Sequence, residues 1–174
     1  ALFPYTTLLR SIQISSQKKL VENELGKRIE LMKENLIERG KIAVVNLGQQ
    51  VENSIASFNF SGAIETIKTS AETNQEIKYA VLTDSSGTVF IHTLKSDLTQ
   101  KKLNDERSRN ALGYKEMVVA DYKENKESVI EIITPVQIST EPWGVLRVIY
   151  TLKHLDKEIQ LSKRQIGNDI KAMV

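Results

Sequence analysis

Tyr79-Ala80-Val81-Leu82-Thr83-Asp84-Ser85-Ser86-Gly87-Thr88-Val89-Phe90-Ile91-His92-Thr93 is the stretch whose reading decides the fold. From Ile77 to Thr83, Ile77, Tyr79 and Val81 alternate with Lys78, Ala80 and Leu82, the two-residue period of a strand. Asp84-Ser85-Ser86-Gly87 is turn sequence, and Thr88 to Leu94 resumes as a strand through Val89, Phe90 and Ile91. The segment reads as an antiparallel hairpin.

Downstream, Lys95 to Lys102 is a polar connection, and Asp105 to Leu112 predicts a short helix closed by Gly113. Tyr114 to Tyr122 reads as a strand, Glu124-Asn125-Lys126 as a turn and Ser128 to Ile138 as a β-branched strand. Thr140-Glu141-Pro142 is expected to turn the chain into the last strand, Gly144 to Leu152. A C-terminal helix then begins near Lys153. Leu152, Ile159, Ile166 and Met173 recur along it at sevens, with Leu155 and Ile170 beside them.

Upstream, no proline interrupts Thr6 to Phe58. Leu25, Ile29, Met32 and Leu36, then Ala43, Leu47, Val51 and Ile55, fall at helical spacing, while the other faces are charged. Gly26, Gly40 and Gly48 mark either breaks or close approaches, and Gly40 is the expected irregularity between two helical stretches. A continuous helix of about 50 residues would span roughly 75 Å, which predicts a projecting stalk or a helix paired with another chain. After a break at Asn59 to Gly62, Ser61 is expected to cap a short helix with Ile64 and Ile67 inward, ending near Asn74. The fold class is therefore α+β: long helix, short helix, five antiparallel strands interrupted by a small helix, and a last helix.

Composition narrows the function. The 174 residues carry 24 Lys plus Arg against 22 Asp plus Glu, a net charge of +2, which lacks the basic excess of a nucleic-acid protein. There is no cysteine, which removes disulfide frameworks, thiolate nucleophiles and zinc ribbons. No Walker loop, GxGxxG, HExxH or GxSxG is present, so neither catalytic residues nor a cofactor is expected. The 2 histidines, His92 and His154, have no metal-ligand spacing, and no metal site is expected.

Binding residues are easier to nominate. Arg107 and Arg109 flank Ser108 on the small helix, and a guanidinium fork holds a carboxylate bidentately. Arg147 sits in Val145-Leu146-Arg147-Val148-Ile149-Tyr150, otherwise apolar on both faces, where a charge needs a partner or a water-filled cavity. His92 lies in a similar setting on the hairpin. Tyr79, Tyr114, Tyr122 and Tyr150 offer ring and hydroxyl to a pocket or simply fill half-buried strand positions.

Two local patterns, in this order and at this separation, resemble the extracytoplasmic single-Cache (PAS-like) sensor domains of bacterial transmembrane receptors. One is the Tyr79 to Thr93 hairpin, followed by Leu98 to Asn104. The other is Pro135-Val136, then Pro142-Trp143-Gly144-Val145-Leu146-Arg147-Val148-Ile149-Tyr150-Thr151-Leu152. The resemblance covers about Ile42 to Ile159. It implies a PAS-like Cache fold, with a long N-terminal helix packed on a five-stranded antiparallel sheet and a C-terminal exit helix. It also implies a small-molecule pocket on the other sheet face. Carried onto this chain, that pocket involves Arg107 and Arg109, helped by His92, Tyr114, Tyr122 and Arg147, and takes a carboxylate or amino-acid-like ligand.

The resulting expectation divides the chain into an N-terminal stalk and dimerisation helix (1–41), a Cache sensor core (42–152) and an exit helix (153–174). The whole is expected outside the cytoplasmic membrane, between two spans that lie beyond this chain. No apolar run here approaches the ~20 residues a span requires. The first residue is Ala1 rather than Met, and the small apolar stubs Ala1-Leu2-Phe3 and Ala172-Met173-Val174 fit a piece cut at those spans as well as ordinary frayed ends. The Leu25, Ile29, Met32 and Leu36 stripe is expected to pair with its twin in a homodimer. A ligand-free spacer or protein-binding module of the same fold is the alternative, and a cytoplasmic PAS-like module or small enzyme stands third.

Overall fold

The computed structural model describes residues 3–173, with the side chains of 4–173; Ala1, Leu2 and Val174, and with them the outermost parts of the two apolar stubs, lie outside the described residues. In chain order the elements are α1 (Phe3–Ala56), α2 (Phe60–Thr73), β1 (Ile77–Asp84), β2 (Val89–His92), the 3-10 turn Ser96–Leu98, α3 (Glu106–Ala111), β3 (Val118–Glu124), β4 (Glu127–Ile138), β5 (Glu141–Thr151) and α4 (Lys153–Ala172). Two compact units divide them: Ile37–Leu152, and the residues up to Leu36 together with those from Lys153 onward.

The first of these units holds the 5-stranded antiparallel sheet, in the order β2-β1-β5-β4-β3. The last strand in sequence is thus the central one. One sheet face presents Leu82, Leu146, Val148, Tyr150, Ile130 and Ile132, and Val44, Leu47, Val51 and Ile55 of α1 with Ala63 and Ile67 of α2 are buried in the same core. Gly40 is a close approach and not a break, because α1 runs through it. A Cβ there would come 2.6 Å from Ile132 Cδ1 and 3.3 Å from the Tyr150 ring. Its missing side chain lets the helix lie on the sheet, which offsets the about 1 kcal/mol that glycine costs in a helix.

Local chemistry moves several boundaries from where the sequence places them. Asn59, not Ser61, caps α2, its Oδ1 accepting from Gly62 N at 3.0 Å. β2 stops at His92 because Thr93 turns inward: its Oγ1 accepts from Ala80 N and its N–H donates to Ala80 O. β3 begins at Val118, because Gly113 and Tyr114 still donate to Asn110 and Ala111 of α3. The β4–β5 turn is Ser139-Thr140, both at positive φ (49° and 69°), and Pro142 lies within β5 beside a register shift. A bulge is where a strand tolerates a residue without an N–H. Asn125 and Lys126 form the matching two-residue turn between β3 and β4, with φ of 49° and 70°.

In the other unit, α1 and α4 run antiparallel. Arg10 Nη2 donates to Met173 O at 3.1 Å. Leu25, Ile29 and Met32 share a groove with Ile159 and Leu161, and Leu25 and Ile29 share another with Ile166 and Ile170. Three residues of the stripe expected to meet a twin chain, Leu25, Ile29 and Met32, therefore line grooves with α4 of their own chain. Among the described residues no helix is long and apolar enough to cross a membrane.

Candidate functional site

The sheet face opposite α1 is built differently. Along β5, Val145, Arg147 and Ile149 point to it. Register brings Tyr79, Val81 and Thr83 of β1, His92 of β2, and Glu131 and Ile133 of β4 to the same side. α3 lies over this face. Asp105 caps the helix, accepting from Ser108 N at 3.1 Å and Ser108 Oγ at 2.7 Å. Ala111 packs on Ile133 and Val145, with Leu112 and Val118 against them.

A buried ion pair stands at the centre. Arg147 Nε donates to Glu131 Oε2 at 2.8 Å and Nη2 to Glu131 Oε1 at 3.1 Å, while Nη1 donates to Ser108 Oγ at 2.7 Å. Arg147 is 5% exposed and Glu131 1%. Burial by itself disfavours the guanidinium charge, but the Glu131 carboxylate outweighs it and holds Arg147 above its ordinary range. Tyr122 adds its hydroxyl, donating to Glu131 Oε1 at 2.7 Å. Burial and the neighbouring carboxylate push that phenol upward, so it stays a donor across the physiological range.

Two layers surround this pair. The Arg107 guanidinium lies 3.5 Å above the Tyr122 ring, a cation–π contact that positions an exposed fork with which no carboxylate pairs among the described residues. On the other flank Tyr79 and His92 stack at 4.7 Å, and Tyr79 donates to Glu124 Oε2 at 2.7 Å. Lys78 bridges Glu124 at 3.2 Å and Glu127 at 2.8 Å. His92 Nδ1 accepts from Lys95 N at 2.9 Å and Leu94 N at 3.3 Å, which puts its proton on Nε2. Burial, then the Lys95 and Arg147 charges, hold its pKa below the ordinary 6.5.

Of the nominated residues, Arg107, Tyr122, Arg147 and His92 lie on or over this face. Arg109 and Tyr114 are exposed, and no side-chain hydrogen bond, ion pair or ring contact ties them to it. Tyr150 belongs to the opposite face, beside Gly40. Sequence reasoning missed Glu131, although it carries the same signal as Arg147: a lone charge in Val129-Ile130-Glu131-Ile132-Ile133. Ser108 gave no signal of its own, being a small polar residue on a polar helix.

Three of the five guanidinium N–H groups of Arg147 are used within the chain. The arrangement gathers a buried pair of opposite charges, the rings of Tyr79, His92 and Tyr122, and the exposed fork of Arg107 on one sheet face. Among the described residues no group of three His, Asp or Glu is placed to hold a metal ion.

No family model matches the sequence, and no curated protein matches it. Solved structures do match in fold. The extracellular domain of the histidine kinase vpHK1S-Z8 aligns with 81% of this chain and 60% of its own, at 13% identity and a TM-score of 0.61. A domain of a sensory box/GGDEF family protein from Vibrio parahaemolyticus aligns with 86% of this chain and 64% of its own, at 11% identity and a TM-score of 0.59. The ligand-binding domain of the amino acid chemoreceptor PctB from Pseudomonas aeruginosa PAO1, solved with L-Arg, aligns with 72% of this chain and 53% of its own, at 20% identity and a TM-score of 0.52. The chain spans less than two thirds of each of these three. Its fold is that of the Cache-like (PAS-like) sensor domains.

Proposed function

We propose that this chain is the extracytoplasmic small-molecule sensor domain of a membrane-bound signal-transduction receptor, of the histidine kinase, chemotaxis transducer or nucleotide cyclase class. The domain binds and relays; it carries out no reaction itself. The observation that supports this most is the face under α3, where Arg147 and Glu131 are buried together within reach of Arg107, Tyr122, Tyr79 and His92. Charges of both signs beside aromatic rings on one sheet face suit a carboxylate or an amino-acid-like molecule. Such a ligand, meeting Arg107 and competing for the Arg147–Glu131 pair, would favour one position of α3 and β5 over another. β5 ends at Thr151 and α4 starts at Lys153, so a shift of the strand reaches the exit helix through the chain itself. The sensor works as a homodimer anchored by spans outside this chain.

One observation favours a second reading. Glu131 and Ser108 already satisfy Arg147 inside the chain, as a structural ion pair would. A ligand-free spacer or protein-binding module of the same fold follows from that. A thermal-shift screen of the purified chain against amino acids, carboxylic acids, amines and nucleobases separates the two. A ligand at a hundred times its Kd stabilises the folded state by about 2.7 kcal/mol. The sensor reading expects one chemical class to raise the midpoint, with the rise lost in Arg107→Ala. That exposed variant leaves the buried pair intact. A flat screen, or a rise that Arg107→Ala leaves unchanged, counts against the site.

A further inference from the structure

A cleft of about 210 Å³ opens on the sheet face that α1 covers, away from Arg147 and Glu131. It lies between α1, the end of α2 and the sheet. Val44 and Leu47 of α1, Ile77 of β1 and Val148 of β5 wall it, and no charged side chain lines it. Register places Ile77 opposite Tyr150, which borders the same cleft. Tyr150 is 2% exposed, and its hydroxyl is a buried side-chain polar atom that finds no hydrogen-bond partner among the described residues. A hydroxyl buried in this way gives up its bond to water and receives nothing in exchange. Burial pushes the phenol up to about 12, so it keeps a proton to donate across the physiological range. At the rim, Asn74 Oδ1 accepts from Glu76 N at 3.0 Å, which leaves the Asn74 amide N–H groups and the Ser70 hydroxyl as further donors without a partner among the described residues.

We propose that this cleft is a second small-molecule site, for an uncharged single-ring ketone or ester whose oxygen accepts from the Tyr150 hydroxyl. Size sets the ring. A dry apolar cavity of about 150 Å³ holds benzene, so the larger cleft takes a ring with a short substituent. The lining sets the charge, because a carboxylate or an ammonium group held among Val44, Leu47 and Val148 would lose its water and gain no counter-ion. The buried hydroxyl sets the polar group: a donor without an acceptor is answered by a carbonyl oxygen. The site is separate from the charged face under α3 and stands without it. The two faces meet in one strand, since Val148 and Tyr150 alternate along β5 with Arg147 and Ile149.

Methyl-resolved NMR of the purified chain reads the site directly, with three probes of one ring: acetophenone, ethylbenzene and benzoate. Acetophenone should move the methyl signals of Val44, Leu47, Ile77 and Val148 saturably. Ethylbenzene, which has nearly the same shape and no oxygen, should bind about tenfold more weakly, the worth of one hydrogen bond. Benzoate, which carries a charge, should leave these methyls unmoved. Tyr150→Phe removes a hydroxyl that no other group uses, so the chain should stay folded, and acetophenone should fall to the affinity of ethylbenzene. No saturable shift at the four residues up to millimolar acetophenone overturns the site. Shifts confined to Ile133 and Val145, on the face under α3, overturn it as well. Equal affinities for acetophenone and ethylbenzene in the unmodified chain overturn the bond to Tyr150, and that comparison needs no variant. Benzoate moving the four methyls as strongly as acetophenone overturns the uncharged class. The thermal-shift screen with Arg107→Ala reads the α3 face separately, so either site can fail without the other.

Discussion

Arg147 and Glu131 make each other's burial tolerable. Taking either charge alone out of water costs several kcal/mol, and only their bidentate geometry, completed by Ser108 and Tyr122, offsets it. Arg147→Met strands the Glu131 carboxylate and should cost about 3–5 kcal/mol in urea unfolding, whereas Arg147→Met combined with Glu131→Leu should recover part of that loss. An additive double variant would mean that the two charges are not coupled. His92 adds a pH dependence. Its folded pKa is lowered, so the folded state binds the proton more weakly than the unfolded chain does. The contribution is full above the ordinary 6.5 and is lost as pH falls from there through the lower folded value. Protonating Nδ1 would remove the acceptor for Leu94 and Lys95 N–H. The melting temperature should therefore drop between neutral and mildly acid pH, and His92→Gln should flatten that drop. Arg147 was legible as a lone charge in an apolar strand. Its partner Ser108 was not, because 39 residues separate them and no local pattern records the contact.

At the scale of elements, glycine and turn residues decide where strands and helices can run. Gly26 has nothing within 4 Å of where a Cβ would sit, so Gly26→Ala should stabilise α1 by roughly 0.5–1 kcal/mol, seen as greater helicity and a higher melting temperature. Gly144 is the opposite case: a Cβ there would run into Thr83 O and the Asp84 backbone of β1. Thr140 holds a φ of 69°, a left-handed conformation that a β-branched residue resists. Thr140→Gly should relieve it and raise stability by about 1 kcal/mol; a loss would mean that its side chain makes a contribution larger than the strain. The sequence read the Asn125-Lys126 turn where it is, because Asn favours that conformation. It misplaced the Ser139-Thr140 turn, because Pro142 is the stronger turn signal and only the bulge in the β4–β5 ladder makes room for it inside a strand.

For the whole molecule, the proposed sensor depends on covalent continuity between the central strand and the exit helix. Inserting Gly-Gly after Leu152 should leave the ligand-induced rise in melting temperature intact, since Arg107, Glu131 and Arg147 all precede it. It should abolish any ligand-dependent change in hydrogen exchange along Lys153–Ala172. If the exchange response survived the insertion, the signal would not travel through β5. At the same scale, the apolar row of α1 at steps of three and four supplies Leu25, Ile29 and Met32 to the grooves it shares with α4.

By itself the sequence determined the kind and order of the elements, the alternation of the hairpin, the amphipathic terminal helices and the unusual charge at Arg147. Each of these rests on spacing between near neighbours, with periods of two for a strand and 3.6 for a helix. Tertiary structure alone decided that β5 sits at the centre of the sheet, that Glu131 neutralises Arg147, that Arg107 rests on Tyr122 and that Leu25, Ile29 and Met32 share a groove with Ile159 and Leu161. Those are contacts between residues far apart in the chain, chosen by burial and charge pairing in three dimensions, and no local period encodes them.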